Sequence, residues 1–485
     1  MSESALSCKI RGKRKCAFVQ KYVDGKVRFR AKSCNDGVRD MKRKIYDRLI
    51  EWKNRSKGTT ALLIDGARRV GKSYIAEEFA TREYRSYLLI DFSYPRPGVL
   101  DCFKREAYDL SLFFSKLSAI YGKKLYPRES LIVFDEVQLF PPARQLIKQL
   151  VKDGRYDYLE TGSLISLHKN VKDILIPSEE EHIEMFPMDF EEFLWALGDT
   201  GTVPFLRSCF DERKPLGQAI HRKTLNEFRK YMLAGGMPQS VEAFAQTQDF
   251  AAADQMKKRI LALYREDIGK YAGRDEERVH ALFDHIPGQL SKKEKKYKLA
   301  DISEQARTRS YEDAFLWLDK SMIINRCLNA TDPTVGLAMS EDFTTQKCYM
   351  GDTGLLVTQA FHDNEYADNT LYRDILLDKL NVNEGMLMEN VVAQTLRCKG
   401  HRLYFYSRVD THDRRNHMEI DFLISNHRKI QPIEVKSSTY RKHSSLDKFI
   451  KKFGNRLGER FILHPKDVMV RDGVTHLPLY MAMFL

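Results

Sequence analysis

The spacing of apolar residues changes several times along the chain, and each change predicts an element. Ile45, Leu49 and Trp52 recur at intervals of four and three, which predicts a helix over Met41–Lys57. Thr60–Asp65 is a short β-prone run. Ser73–Tyr84 then places Ile75, Ala76, Phe79 and Ala80 on one helical side. Tyr87–Phe92, apolar but for Asp91, and Leu131–Phe134 are continuous apolar runs, and Tyr156–Leu159 is a further candidate strand. Such runs suit strands of a parallel sheet buried on both faces. Their alternation with helices predicts an α/β core over residues 41–200.

Outside that core the pattern differs. Residues 17–31 read as two short strands around Asp24-Gly25, a favoured tight-turn pair, with Lys21 opposite Arg28 and Val19 opposite Arg30. Residues 201–280 read as helices interrupted by Gly235-Gly236-Met237-Pro238. Residues 281–350 are basic and mixed, with a helix over 313–320 before a β-like stretch over 322–328. α/β character returns in residues 351–485, with a helix over 386–398 and strands over 402–407, 418–425 and 430–437. The expected divisions are therefore 1–40, 41–200, 201–280, 281–350 and 351–485.

Charge sharpens this picture. The chain of 485 residues carries a formal net charge of +13. Residues 1–58 hold 18 Lys+Arg against 6 Asp+Glu, so a basic N-terminal arm accounts for nearly all of the excess. An arm of this kind is a candidate contact for nucleic acid, DNA above all; the plainer reading is a solvated tail or an edge hairpin. A second candidate is Lys292–Lys298 with Arg307 and Arg309 ahead of a helix and β-like segments, a pattern that fits a winged helix or a basic helical connector. No apolar run approaches the roughly 18 residues of a membrane helix. Met1–Lys15 lacks the apolar core of a secretory signal. The eight cysteines are scattered with no C-x-x-C pair, so free thiols in a reducing cytoplasm are expected.

Two groups of residues carry candidate chemistry. The first is Gly66-Ala67-Arg68-Arg69-Val70-Gly71-Lys72-Ser73, a G-x-x-x-x-G-K-S loop between a predicted strand and a predicted helix. Its glycines allow the backbone to wrap a phosphate, and helix-start N–H groups favour the negative charge. Lys72 is expected on the β- and γ-phosphates of ATP and Ser73 on Mg²⁺. The run 131–134 ends in Asp135 and Glu136, expected as Mg²⁺ holder and as the group that polarises the attacking water. Thr161 and Ser163, at the end of a further strand, are candidates to sense the γ-phosphate or simply turn residues.

The second group lies near the C-terminus. A turn centred on His427-Arg428 places Asp421 opposite Glu434 and Glu419 opposite Lys436. Like charges facing across strands repel, and a divalent cation between Asp421 and Glu434, with Glu389 as a third ligand, would reverse the sign. Lys436 would then orient or activate water, the Glu…Asp…Glu-x-Lys arrangement of metal-dependent nucleases. A solvated ladder of charges has the same spacing.

In this order, GARRVGKS (66–73), LIVFDEVQ (131–138), TGS (161–163), FPMDFEEFL (186–194), LAGGMP (233–238), YMGDTGLL (349–356), LMENVVAQTL (387–396), EIDFLI (419–424) and PIEVK (432–436) resemble the AAA-type ATPases of bacteria and archaea whose C-terminal half is an uncharacterised, restriction-endonuclease-like domain. The resemblance runs from about residue 41 to the C-terminus. It implies an α/β fold with a P-loop ATPase core, a helical lid, a winged-helix-like middle and a nuclease-like end. Rings are common among AAA-type ATPases, so a homo-oligomer is compatible with it. One departure stands out. The Gly-Arg often found before the P-x-x-F-x-E-F segment is absent from Ile176-Pro177-Ser178-Glu179-Glu180-Glu181-His182, which leaves Arg68 and Arg69 as candidates for a charge-stabilising arginine.

Overall fold

In the computed structural model, residues 18–23, 26–31, 41–162, 178–292, 296–302, 308–361, 384–408, 417–437 and 444–485 are described. They divide into two compact units, Met1–Asp40 and Met41–Leu485. In the first, strands β1 (Phe18–Val23) and β2 (Lys26–Ala31) pair antiparallel, with Lys21 opposite Arg28 and Val19 opposite Arg30.

The second unit contains two sheets. Strands β3 (Ala61–Gly66), β4 (Ser86–Asp91), β5 (Ser130–Asp135), β6 (Asp157–Gly162) and β7 (Glu180–Met185) form a parallel sheet in the order β4-β5-β6-β3-β7. Alternation along β3 explains its apolar sequence. Leu62 and Ile64 pack on one face with Ile75, Phe79 and Trp52, while Ala61 and Leu63 pack on the other with Phe113 and Ile147. The helix Ile45–Ser56 buries Ile45, Leu49 and Trp52, the three residues whose spacing predicted it. The chain leaves β3 for the distant β4 and returns through β6 beside β3. That reversal opens a crevice at the strands' carboxyl ends, where ligands bind in sheets of this type.

The other sheet has eight strands: β8 (Ile324–Ala330), β9 (Glu341–Met350), β10 (Leu403–Arg408), β11 (Met418–Asn426), β12 (Lys429–Val435), β13 (Phe461–His464), β14 (Met469–Arg471) and β15 (Val474–Pro478). Their order is β14-β15-β13-β12-β11-β10-β8-β9. β8 pairs in parallel with β10, so the segment expected as a separate winged-helix-like part supplies two strands to the C-terminal sheet. The expected boundary at residue 350 therefore falls inside one sheet. The physical reason is that every residue of β8 is buried, and a strand buried throughout needs partners on both edges. Arg307 lies outside the described residues, and Arg309 is exposed in the first turn of the helix Thr308–Lys320.

Turn residues His427 and Arg428 lie between β11 and β12, whose pairing runs from Phe422 opposite Ile433 to Asn426 opposite Lys429. Next to it β11 bulges against β10. Tyr404 pairs with Leu423 but Tyr406 pairs with Ile420, so β11 carries one residue more over that interval. A bulge re-aims the side chains on either side of it. Ile420 consequently packs with Tyr406 and Phe449 on one face, whereas Phe422, Ile424, Ile433 and Val435 pack on the other.

No helix among the described residues is long and apolar enough to cross a membrane.

Candidate functional site

The loop from β3 to the helix Lys72–Glu83 sits in the crevice described above. Gly66 is required by proximity, because a Cβ there would stand 2.4 Å from the Met185 carbonyl oxygen. Gly71 turns the chain into the helix at φ +99°, a region that favours glycine. Four of the loop carbonyls are occupied. Lys72 Nζ donates to Gly66 O and Ala67 O, each at 3.0 Å; Tyr264 Oη donates to Arg68 O at 3.2 Å; and Arg43 Nη1 donates to Val70 O at 2.8 Å. Burial pulls the Lys72 pKa down, against the opposing pull of Glu136, Asp135 and Asp65. A cation held in this way is poised to move onto a phosphate.

Asp135, the last residue of β5, is the hub of the site. Ser73 Oγ donates to its Oδ1 at 2.7 Å, and Thr161 Oγ1 donates to the same oxygen. The Glu136 N–H donates to Thr161 Oγ1 at 3.2 Å, and the Glu136 carboxylate accepts from Gln138 Nε2. Burial raises the Asp135 pKa, and the Thr161 and Ser73 hydroxyls oppose that rise. Asp135 and Thr161 at adjacent strand ends and Ser73 at the helix start thus bring three hard oxygen donors together, a donor set that fits Mg²⁺. Glu136 follows at φ +53°, outside the strand.

The two arginine candidates differ. Arg68 Nη1 lies 2.6 Å from Asp267 Oδ1, on the helix Phe250–Tyr271. Arg69 is exposed in a left-handed conformation at φ +70°. Ser163 lies outside the described residues. Arg43 and Tyr264 are functional neighbours that the motif does not reveal, since neither lies near the loop in sequence.

The C-terminal residues are arranged differently from the expected cation site. Glu389, Glu419 and Asp421 surround the ammonium of Lys347, which is 1% exposed. Lys347 Nζ lies 2.9 Å from Glu419 Oε1, 3.4 Å from Asp421 Oδ1 and 3.8 Å from Glu389 Oε2. Tyr349 Oη donates to Glu389 Oε2 at 3.1 Å. Burial alone would lower the Lys347 pKa, but Glu389, Asp421 and Glu419 outweigh it and drive it upward. Lys296, from the basic stretch, lies 4.0 Å from Glu419.

Glu434 stands apart from this group. Ile433 and Val435 pack on the Phe422 face, so Glu434 points to the opposite one, where Lys436 Nζ lies 3.4 Å from its Oε2. The strand register is as expected, but the bulge turns Asp421 so that its Oδ2 accepts from the Val435 N–H at 2.9 Å. Asp421 and Glu434 therefore do not form two jaws on one face. Burial raises the Glu434 pKa to about 7; Lys436 opposes the rise and Asp421 adds to it. Among the described residues, no group of three or more His, Cys, Asp or Glu is placed to hold a metal ion.

Three family models match successive parts of the chain. Residues 58–194 match the family model "AAA domain". Residues 225–377 and 384–481 match two models each described as a domain of unknown function, DUF8612 and DUF4143. No curated protein matches. Among solved structures, the Walker-type ATPase PABY2304 of Pyrococcus abyssi is similar at 17% identity and TM-score 0.40, covering 66% of this chain and 95% of its own. Thermotoga maritima RuvB is similar at 11% identity and TM-score 0.27, covering 61% and 90%. Cdc6p from Pyrobaculum aerophilum is similar at 11% identity and TM-score 0.23, covering 70% and 94%. The loop and the Asp135 hub both lie within the segment that matches the AAA domain model.

Proposed function

We propose that the chain is a Mg²⁺-dependent ATPase whose nucleotide state controls nucleic-acid binding, and that its C-terminal half is a binding module, not a metal-dependent nuclease. The observation that carries the ATPase part is the convergence of Ser73 and Thr161 on one oxygen of Asp135, with Glu136 next in the chain. In this reading Ser73 and Asp135 hold Mg²⁺, which neutralises charge on the phosphates when bound. Lys72 leaves the Gly66 and Ala67 carbonyls for the β- and γ-phosphates. The N–H groups at the start of the helix Lys72–Glu83 cradle the β-phosphate. Glu136 accepts a hydrogen bond from the attacking water and aligns it.

Two observations support the binding part. The basic excess is confined to residues 1–58, and the β1–β2 pairing sets Lys21 opposite Arg28. For the C-terminal half, Lys347 among Glu389, Glu419 and Asp421 favours a non-catalytic reading, because its ammonium already supplies positive charge to two of the expected metal ligands.

The test is binding of labelled duplex DNA with no nucleotide, with ADP and with a slowly hydrolysed ATP analogue. Affinity should depend on nucleotide in the wild-type chain and not in Lys72→Ala. A wild-type affinity that ignores nucleotide contradicts the proposal.

A further inference from the structure

A loop that binds phosphate through its N–H groups must keep its carbonyl oxygens turned away from the anion, since a carbonyl facing a phosphate repels it. In this chain the Val70 carbonyl, one residue before Gly71 and two before Lys72, is held by Arg43 at 2.8 Å. Arg43 lies outside the segment that matches the AAA domain, residues 58–194. It is 5% exposed, and its guanidinium is held in a fixed geometry. Nη1 donates to Val70 O, Nη2 donates to Phe186 O at 2.7 Å, and Nε donates to Glu192 Oε1 at 3.1 Å.

Glu192 is itself fixed. Its Oε1 also accepts from the Lys44 N–H at 2.7 Å, and its Oε2 accepts from the Asp189 N–H at 3.0 Å within the capping box that starts the helix Phe190–Ala196. Arg43 is thus a rigid bracket between the phosphate loop, the chain just after β7, and a helix start. The three donors of one planar fork make it stiffer than a lysine could be.

The consequence for the loop is geometric. Across a trans peptide the C=O and the N–H point in opposite directions. Pinning the Val70 carbonyl towards Arg43 therefore points the Gly71 N–H away from it. Arg43 also borders Gly71 itself, since a Cβ at that position would be in ordinary van der Waals contact with Arg43 Nη1 at 3.7 Å.

We propose that Arg43 is a positioning residue for ATP: through the Val70 carbonyl it presets the Gly71–Lys72 end of the loop to receive the phosphates. This rests on the ATPase reading above. The loop holds its phosphates in substrate and transition state alike, so removing the bracket weakens binding more than turnover.

The experiment measures steady-state ATP hydrolysis and melting temperature of the full chain for wild type, Arg43→Met, Arg43→Lys and Glu192→Gln, with Lys72→Ala as the control for the site. Arg43→Met should raise KM about tenfold or more while kcat stays within about threefold. Arg43→Lys, which keeps charge but loses the fork, should fall between wild type and Arg43→Met. Glu192→Gln leaves both carbonyl partners of Arg43 in place, so it should lower the melting temperature with little change in KM. If Arg43→Met does not fold, the Arg43→Lys and Glu192→Gln comparison decides on the same readouts. A lowered melting temperature with unchanged KM in the Arg43 variants overturns the proposal. If Lys72→Ala still abolishes activity in that case, the ATPase reading stands without it. A wild-type chain that does not turn over ATP contradicts both.

Discussion

Lys347 Nζ stands 3.4 Å from Asp421 Oδ1 and 3.8 Å from Glu389 Oε2, beside two of the three carboxylates expected to hold a divalent cation. Glu389 and Glu419 complete the surroundings of that ammonium, so the carboxylates already have their counter-ion. Mg²⁺ or Mn²⁺ should leave the melting temperature of the nucleotide-free chain unchanged. Lys347→Met should destabilise it by about 3 kcal/mol at neutral pH, because the buried Glu389 and the half-buried Asp421 and Glu419 lose their shared counter-ion. That penalty should shrink as pH falls and the carboxylates protonate. Chemical denaturation of both proteins at several pH values checks this. A divalent-dependent rise in wild-type melting temperature that Asp421→Asn removes would contradict it.

Glu434 gives a separate pH signature. Its pKa is raised to about 7 in the folded chain from an ordinary 4.5. The folded state therefore holds the proton more tightly, and wild-type stability declines as pH rises from about 4.5 through 7. Glu434→Gln carries no such dependence. Between pH 4.5 and 8, its stability relative to wild type should improve by up to about 3 kcal/mol. Urea unfolding at the two pH values measures the change, and a constant difference would refute the shift.

The ion pair between Arg68 and Asp267 joins the phosphate loop to the helix Phe250–Tyr271. Arg68 also belongs to the loop that we propose binds phosphate. A double-mutant cycle with Arg68→Met and Asp267→Asn should give a coupling of about 1 kcal/mol without nucleotide. The coupling should fall towards zero with ATP bound in a non-hydrolysing background. Equal coupling in both states would show that Arg68 does not respond to the nucleotide.

Much of the ATPase site was legible because its determinants are local. The loop 66–73 and the run ending in Asp135-Glu136 each lie within eight consecutive residues, and both hairpin registers follow from their turns. What the sequence concealed is non-local. Lys347 is on β9 and meets Asp421 across 74 positions, and Arg43 meets Glu192 across 149. The pairing of β8 with β10 joins Cys327 to Leu403, which no turn signals. The bulge in β11 arises from its pairing with β10 and leaves no mark in the alternation of residues 418–426.

The N-terminal arm forms its own compact unit, so deleting residues 1–40 should leave ATP hydrolysis without DNA unchanged. DNA affinity should fall, and its salt dependence should flatten by roughly 0.9 in log–log slope for each DNA phosphate that the arm no longer neutralises. Binding titrations at several salt concentrations read the slope. An unaltered slope would assign the arm to a role other than phosphate binding.

The most direct test of the central claim is Glu136→Gln. The substitution keeps Ser73, Asp135 and Lys72, so ATP should bind with Mg²⁺ at near wild-type affinity. Hydrolysis should fall by about 10²-fold or more, because the group that aligns the attacking water is gone. A Glu136→Gln chain that binds ATP and hydrolyses it at the wild-type rate would contradict the account.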